Sequence, residues 1–267
     1  MPTDVAEGAV RYDVRGRVAV ITLNRPEARN AVNREVAAGL EAAVDRLEDD
    51  PAVWVGVLCA DTGEQERPVF CAGADLKVIQ EACDASPLHT ERGGFAGFVF
   101  RERTKPIVAA VDGMAVAGGL ELALACDIVV ATTRSAFGLP EVKRNLVAAA
   151  GGLYRLPRAV GPAVAMDVAL TGDPIDAQRA YDLGLVSRLV EPGQALDEAL
   201  RVAARIVDSA PLAVRASRRV IHASNEEDED SLRQLSARLL AEVLAADDSA
   251  EGLAAFAEKR PPQWQGR

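Results

Sequence analysis

The chain has 267 residues, 49% of them hydrophobic and 26% charged, enough for one large core or a core with a small appendage. Its formal net charge of −10 and aromatic content of 4% argue against phosphate backbones, anionic membrane surfaces and stacked bases as partners. The four cysteines (Cys59, Cys71, Cys83, Cys126) lack C-x-x-C spacing and the two histidines are His89 and His222. No metal site or disulfide scaffold is expected, and the cysteines read as reduced thiols of a cytoplasmic protein.

Residues 1–7 carry acids and no apolar run, unlike a signal or transit peptide. Residues 10–14 and 18–23 are β-branched runs around Arg15-Gly16-Arg17 and predict a hairpin. Asn33 starts a helix with Val36, Leu40, Ala43, Val44 and Leu47 at helical spacing, which Asp49-Asp50-Pro51 stops. Residues 54–59 read as a buried strand, 61–68 as a polar loop and 69–71 as a short strand. Residues 81–92 have no clean period and are expected to be mobile. A helix is expected over 94–103. A strand over 107–111 turns at Asp112-Gly113, Gly118-Gly119 opens a helix, and 128–131 is the next strand. Asp112, Glu121 and Asp127 make 107–131 a buried core rather than a membrane span.

Beyond Pro140 helices dominate, near 151–159, 162–170, 176–183, 194–208, 212–222, 231–246 and 249–258, with one late strand over 186–190. The acidic run from Glu226 to Asp230 reads as a solvated loop that places negative charge at the next helix start. Leu232, Leu235, Leu239 and Val243 form an apolar stripe on that helix, fit to pack within the chain or against another copy. There is no repeat, linker or low-complexity segment; the pattern is an α/β body with a helical C-terminal part.

Serine-hydrolase, P-loop, dinucleotide and zinc-protease signatures are absent, so chemistry must come from carboxylates and backbone amides. Ala72-Gly73-Ala74-Asp75-Leu76 and Ala117-Gly118-Gly119-Leu120-Glu121 each join a strand to a helix. Such turns leave the first helical N–H groups free to stabilise negative charge. Each alone also reads as a simple tight turn; two facing one another would make an oxyanion hole. Glu121 lies in an apolar segment, where a carboxylate needs a partner or a raised pKa, although an acid there also fits a helix cap. Glu141 follows Phe137-Gly138-Leu139-Pro140, where an acid equally fits a first helical turn.

Four segments occur together in order: Asn24-Arg25-Pro26-Glu27-Ala28-Arg29-Asn30-Ala31, Phe70-Cys71-Ala72-Gly73-Ala74-Asp75-Leu76, Gly118-Gly119-Leu120-Glu121 and Leu139-Pro140-Glu141. With Gly151-Gly152-Leu153-Tyr154-Arg155-Leu156-Pro157, Ala180-Tyr181-Asp182-Leu183-Gly184-Leu185-Val186 and Phe256-Ala257-Glu258-Lys259-Arg260, the chain resembles the crotonase (enoyl-CoA hydratase/isomerase) family over nearly its whole length. The resemblance implies an α/β fold, a spiral of ββα units over 1–195 with a C-terminal helical trimerisation region over 196–267. It implies a homotrimer or homohexamer, an acyl-CoA small-molecule substrate, and no cofactor beyond the coenzyme A of that substrate. It implies an oxyanion hole at the Ala74 and Gly118 amides, CoA contacts at Arg29, Ala72, Asp75, Leu76 and Lys77, and Phe256 and Lys259 reaching a neighbouring subunit's CoA. It places residues 81–92 beside the acyl chain. Glu121 and Glu141 match the two catalytic glutamates of the hydratases, so reversible addition of water across the 2,3 double bond is the expected reaction. Glu141 would protonate the α-carbon and Glu121 hold the water. The alternatives are an isomerase, a dehydratase of a substituted acyl-CoA, or a non-catalytic acyl-CoA-binding protein. The chain departs from the family pattern at Ala117, where many relatives have glycine, and at Asn145-Leu146-Val147-Ala148-Ala149-Ala150, where many are rich in Gly and Pro.

Overall fold

A computed structural model describes residues 8–267. Residues 1–7, read from the sequence as no targeting segment, lie outside the described residues. Strands β1 (Val10–Arg15) and β2 (Val18–Leu23) form the expected hairpin. Helix α1 (Arg34–Asp49) follows, its first turn capped by the Asn33 side chain, which accepts from the Val36 N–H at 2.9 Å. Its stripe of Val36, Leu40, Ala43, Val44 and Leu47 is buried, as its spacing predicts.

The chain then repeats one motif. Strand β3 (Val55–Ala60) leads to β4 (Val69–Cys71) and helix α2 (Leu76–Ala82). A short pair, β5 (His89–Thr90) and β6 (Gly94–Phe95), intervenes. Strand β7 (Ile107–Val111) leads to β8 (Met114–Val116) and α3 (Gly118–Ala125). Strand β9 (Ile128–Thr132) leads to β10 (Ala136–Gly138) and a 3-10 turn, Pro140–Arg144. Helices α4 (Gly152–Val160) and α5 (Pro162–Thr171), strand β11 (Ile175–Asp176), helix α6 (Ala177–Asp182) and strand β12 (Arg188–Val190) close the body. The C-terminal helices are α7 (Ala195–Val207), α8 (Pro211–Ala223), α9 (Glu229–Leu244) and α10 (Asp247–Glu258).

In each unit the first strand joins one sheet and the second strand another. The larger sheet has the order β1-β2-β3-β7-β9-β12, and the smaller has the order β11-β10-β8-β4. In the smaller sheet β4, β8 and β10 are parallel, pairing Cys71 with Ala115 and Gly138 with Val116. Their C-terminal ends therefore emerge side by side. The core between the layers is mainly aliphatic, with Phe70, Phe98 and Phe137 fully buried.

Three expectations are corrected. Residues 94–103 are not helical. Gly94, Ala96 and Gly97 have φ of 64°, 59° and 64°, and Gly97 passes so near α1 that a Cβ there would stand 2.3 Å from the Ala37 carbonyl oxygen. Helical backbone cannot take that path. Second, residues 81–92 are anchored by Leu88, fully buried at the end of a 3-10 turn (Ser86–Leu88); a single buried side chain leaves no periodic signal. Third, β8 and β10 were not foreseen, being three residues each. The acidic run behaves as expected: Asp228 caps α9 by accepting from the Ser231 N–H at 2.8 Å. The α9 stripe is largely internal, with Leu239 buried and Leu232, Leu235 and Val243 half-buried, while Leu240 and Leu244 beside it are exposed.

Lys105 is 2% exposed, yet its ammonium donates to the carbonyls of Leu47 (2.6 Å) and Asp50 (2.7 Å), closing the end of α1. Lys105→Met should strand those carbonyls and cost about 1–3 kcal/mol, read by urea denaturation. A variant as stable as the parent would show that the cap contributes nothing.

Candidate active site

Three turns meet where β4, β8 and β10 end. The first is Ala72-Gly73-Ala74. Gly73 has φ +86°, and a Cβ on it would lie 2.7 Å from both the Ala117 Cβ and the Gly118 nitrogen. The second is Ala117-Gly118-Gly119. A Cβ on Gly119 would lie 2.0 Å from the Cys71 carbonyl oxygen, so glycine is obligatory for the two turns to touch. Ala117 adopts φ 53°, ψ −130°, a region L-residues rarely populate. Its N–H donates to the Gly138 carbonyl (2.9 Å) and its own carbonyl accepts from Leu120 (2.9 Å) and Glu121 (3.2 Å). Those bonds hold the strained residue, which is how alanine serves here in place of glycine.

The Ala72 turn is stitched to the 29–32 segment. Val32 N–H donates to Gly73 O (2.7 Å), Asp75 N–H to Val32 O (2.9 Å) and Ala72 N–H to Arg29 O (3.1 Å). Alternation leaves Ala74 out. Among the described residues neither the Ala74 nor the Gly118 N–H donates to a protein acceptor. Asp75 caps α2, accepting from the Lys77 N–H at 3.3 Å and pairing with Arg25 at 3.3 Å. Arg29, Leu76 and Lys77 are exposed beside this turn.

The third turn carries Glu141 on the 3-10 turn after β10. Glu121, in the first turn of α3, is 3% exposed. Its Oε1 accepts from the Gly152 N–H at 2.9 Å, and a Cβ on Gly152 would crowd that oxygen at 3.1 Å. Burial raises the Glu121 pKa, while the N–H groups of Gly152 and Ala150 and the charges of Arg155 and His89 oppose the rise. Glu141 is half-buried and its Oε2 has no hydrogen-bond partner. Burial, with the Glu121 charge adding to it, pushes its pKa up to about 7. The two carboxyl groups are thus unlike: one is gripped by amides, the other protonated near neutrality. Beside two free N–H groups, such a pair can exchange protons with a ligand whose carbonyl is held by those donors.

The structure brings Glu121, Glu141, Ala74, Gly118, Ala72, Asp75, Leu76, Lys77 and Arg29 to one end of the small sheet. It does not bring Phe256 and Lys259 there. Both are exposed on or next to α10, which does not pack closely against α2 or α3. A groove of about 1710 Å³ lies between the C-terminal end of α3, the Tyr154–Arg158 face of α4 and helices α8 and α9. Sequence reasoning gave no role to Gly152, Arg155, Arg25, His89 or Phe95. Phe95 lies so close to Gly118 that a Cβ there would be 2.5 Å from its ring, and His89 packs edge-on against Phe95 at 5.6 Å. The Gly151-Gly152 pair is a trace of this contact, since a Cβ on Gly152 would crowd the Glu121 carboxylate, but the hydrogen bond itself comes from backbone.

A raised carboxyl pKa means that the folded protein binds the Glu141 proton more tightly than the unfolded chain. That stabilisation is present below the ordinary value of 4.5 and is lost as pH rises through about 7. Glu141→Gln, always neutral, should match the parent near pH 4.5 and melt at a higher temperature at pH 8. Scanning calorimetry at both pH values checks this; a difference independent of pH would count against it.

Comparison with known proteins fits this geometry. The sequence profile of the enoyl-CoA hydratase/isomerase family matches residues 13–267. A carnitinyl-CoA dehydratase from Proteus mirabilis (strain HI4320) is 38% identical over 264 residues, covering 97% of this chain and 99% of the relative. The crystal structure of an enoyl-CoA hydratase from Mycobacterium tuberculosis H37Rv is 46% identical with a TM-score of 0.92, covering 98% of this chain and 100% of that one. That of a carnitinyl-CoA hydratase from Mycobacterium avium is 41% identical with a TM-score of 0.77, at the same coverage.

Proposed function

Because this chain belongs to the enoyl-CoA hydratase/isomerase (crotonase) family, we propose that it adds water reversibly across the 2,3 double bond of an enoyl-CoA thioester. The family relation makes it a lyase of the hydratase/dehydratase type. The observation that carries the finer reading is the pair of unlike carboxyl groups beside two free amides. In this reading the thioester oxygen accepts from the Ala74 and Gly118 N–H groups. Glu121 takes a proton from water as its oxygen attacks the β-carbon. The resulting enolate is held by the two amides, and Glu141 delivers its proton to the α-carbon. Arg29, Ala72, Asp75, Leu76 and Lys77 line the CoA path, and coenzyme A enters only as part of the substrate.

A second reading is dehydration of a β-hydroxy acyl-CoA bearing a further substituent. Relatives named carnitinyl-CoA dehydratase and hydratase, aligned end to end with this chain, favour it. Elimination uses the same groups in reverse, so the two readings differ in substrate and not in machinery.

We also propose a homotrimer or a dimer of trimers, in which Phe256 and Lys259 of one subunit reach the CoA of the next. Ile221, Leu240, Leu244, Leu253 and Phe256 are all more than half exposed on α8, α9 and α10, an apolar surface suited to burial against another copy. Light scattering at micromolar concentration should report a multiple of three; a monomer would end this proposal. The unpaired cysteines fit a cytoplasmic setting, and no described helix is long and apolar enough to cross a membrane.

Loss of the conjugated thioester absorbance, followed over a series of enoyl-CoA chain lengths beside carnitinyl-CoA, tests the reaction. Glu121→Gln and Glu141→Gln should each lower hydration by roughly 10²–10⁴-fold. The double variant should be little worse than either, since both groups serve one transition state. A folded single variant with parental hydration would remove that residue from the mechanism. Retained double-bond isomerisation in Glu121→Gln alone would turn the assignment to isomerase.

A further inference from the structure

Glu121 does not hold its own position. Its carboxylate accepts from the Gly152 N–H at 2.9 Å, and the nearby Ala150 N–H also favours its charge; both residues lie in the turn where the chain passes from the 3-10 turn into α4. That turn must be fixed in space, and its conformation is demanding: Gly151 has φ +109°.

Arg155, one turn into α4, is placed to fix it. Its Nη2 donates to the Val99 carbonyl at 2.7 Å and its Nη1 reaches the Ala150 carbonyl at 3.4 Å. The guanidinium thereby ties the 150–152 turn to the segment after β6. It lies so near the turn that a Cβ on Gly151 would stand 2.5 Å from Nη1. The rings of Tyr154 and Phe100 flank it at 5.5 and 5.7 Å. The planar fork spans the two carbonyls in one fixed geometry, which the single nitrogen of a lysine on its flexible stem does not reproduce.

We infer that Arg155 is a positioning residue for the hydration step: it holds the turn whose Gly152 amide grips Glu121 and supplies positive charge that favours the charged form of that carboxylate beside Glu141. This rests on the reading of Glu121 as the water-holding carboxylate. The charged groups around the pair support it. Glu121 is faced by Arg155 from α4 and by His89 from β5, and its own charge acts on Glu141. Arg155 is faced by Tyr154 and Glu121, which favour its charge, as does Cys126, and by Arg158, which opposes it. Burial pulls the Arg155 pKa down, so its charge is held in place against desolvation. His89 is exposed, its Nδ1 lying 2.8 Å from the Ala85 carbonyl. Arg155 is therefore the cation that the fold fixes against the turn beside Glu121.

The test compares Arg155→Gln, which loses the charge, with Arg155→Lys, which keeps the charge and loses the fork. In the hydration assay Arg155→Gln should lower kcat by roughly 10²-fold, as expected for a displaced catalytic group, with little change in KM. The acid limb of its kcat profile should move up in pH, because the lost cation no longer favours the charged carboxylate. Arg155→Lys should return the acid limb toward the parent while kcat stays low. Added to Glu121→Gln, Arg155→Gln should cost little more, because it acts through Glu121. A parental kcat and acid limb in Arg155→Gln, or losses that multiply in the double variant, would overturn the inference. If Arg155→Gln does not fold, Arg155→Lys decides alone: an unchanged kcat overturns it. Carboxyl titration by ¹³C NMR, with Glu121 assigned by its loss in Glu121→Gln, is independent of turnover. Absence of hydration in the parent would thus reject the hydratase reading, while the Glu121 titration in Arg155→Gln would still decide the role of Arg155: an upward move supports it, and a parental titration rejects it.

Discussion

The site depends on the parallel pairing of β4, β8 and β10. Each strand is only three residues long, and the register between them aligns three strand exits at one edge. Ligand sites in α/β folds gather at the carboxyl ends of parallel strands because helix N-termini gather there. Here the alignment is tighter than packing alone requires. Gly73, Gly118 and Gly119 let two backbones approach until a single Cβ at any of them would meet a neighbouring atom at 2.7 Å or less. Removal of side chains at that contact leaves two N–H groups unspent, and preorganised donors of this kind cost nothing to reorient when charge develops on a ligand.

Around that backbone frame the electrostatics divide the labour. Both glutamates are desolvated, and both have raised pKa values for that reason. The division comes from what opposes burial. Glu121 has two amides and a nearby arginine; Glu141 has an unpartnered oxygen and the repulsion of Glu121. Two identical side chains thereby acquire different environments, with only Glu141 raised as far as about 7 by burial and the neighbouring charge. The overall negative charge of the chain is no obstacle to an anionic cofactor-bearing substrate, because exposed Arg29 and Lys77 stand beside the Ala72 turn.

The large elements and the residues of the candidate site were legible in the sequence for physical reasons that also explain the omissions. The α1 stripe and its Asn33 cap were legible because burial imposes a helical period and a cap needs a specific side chain. Glu121, Glu141, Gly73, Gly118 and Gly119 were legible because each breaks the local pattern, a carboxylate among apolar residues or a glycine where a strand meets a helix. The strands β8 and β10 were too short to carry alternation, and they are the ones that align the site. The irregular path of residues 94–100 was hidden, since the aromatic and small residues there also suit a helix; only the contact of Gly97 with the Ala37 carbonyl forbids one. The Gly152 amide and the Arg155 fork were hidden for a different reason. Their partners lie 31 and 56 residues away in sequence, and a hydrogen bond from backbone leaves no residue type to read.

The same separation explains why reaction class and substrate are written in different parts of this chain. Addition and elimination of water pass through one transition state, so the machinery that serves one serves the other. That machinery is almost wholly backbone plus two carboxylates, and the close contacts at Gly73, Gly118 and Gly119 give it no freedom to vary. The segments that border it are side-chain surfaces instead. Asn145 turns the chain with φ 55°, after which Val147 is 70% exposed and Ala148 and Ala150 are buried. Across from them His89 and Phe95 form an aromatic pair held by the buried Leu88. In the proposed reaction these segments would border the acyl chain, so changes in them would alter what lies next to the β-carbon without touching the amides or the acids. Under the proposed mechanism a hydratase of simple enoyl chains and a dehydratase of substituted ones would share the same amides and acids and differ in the side chains that border them.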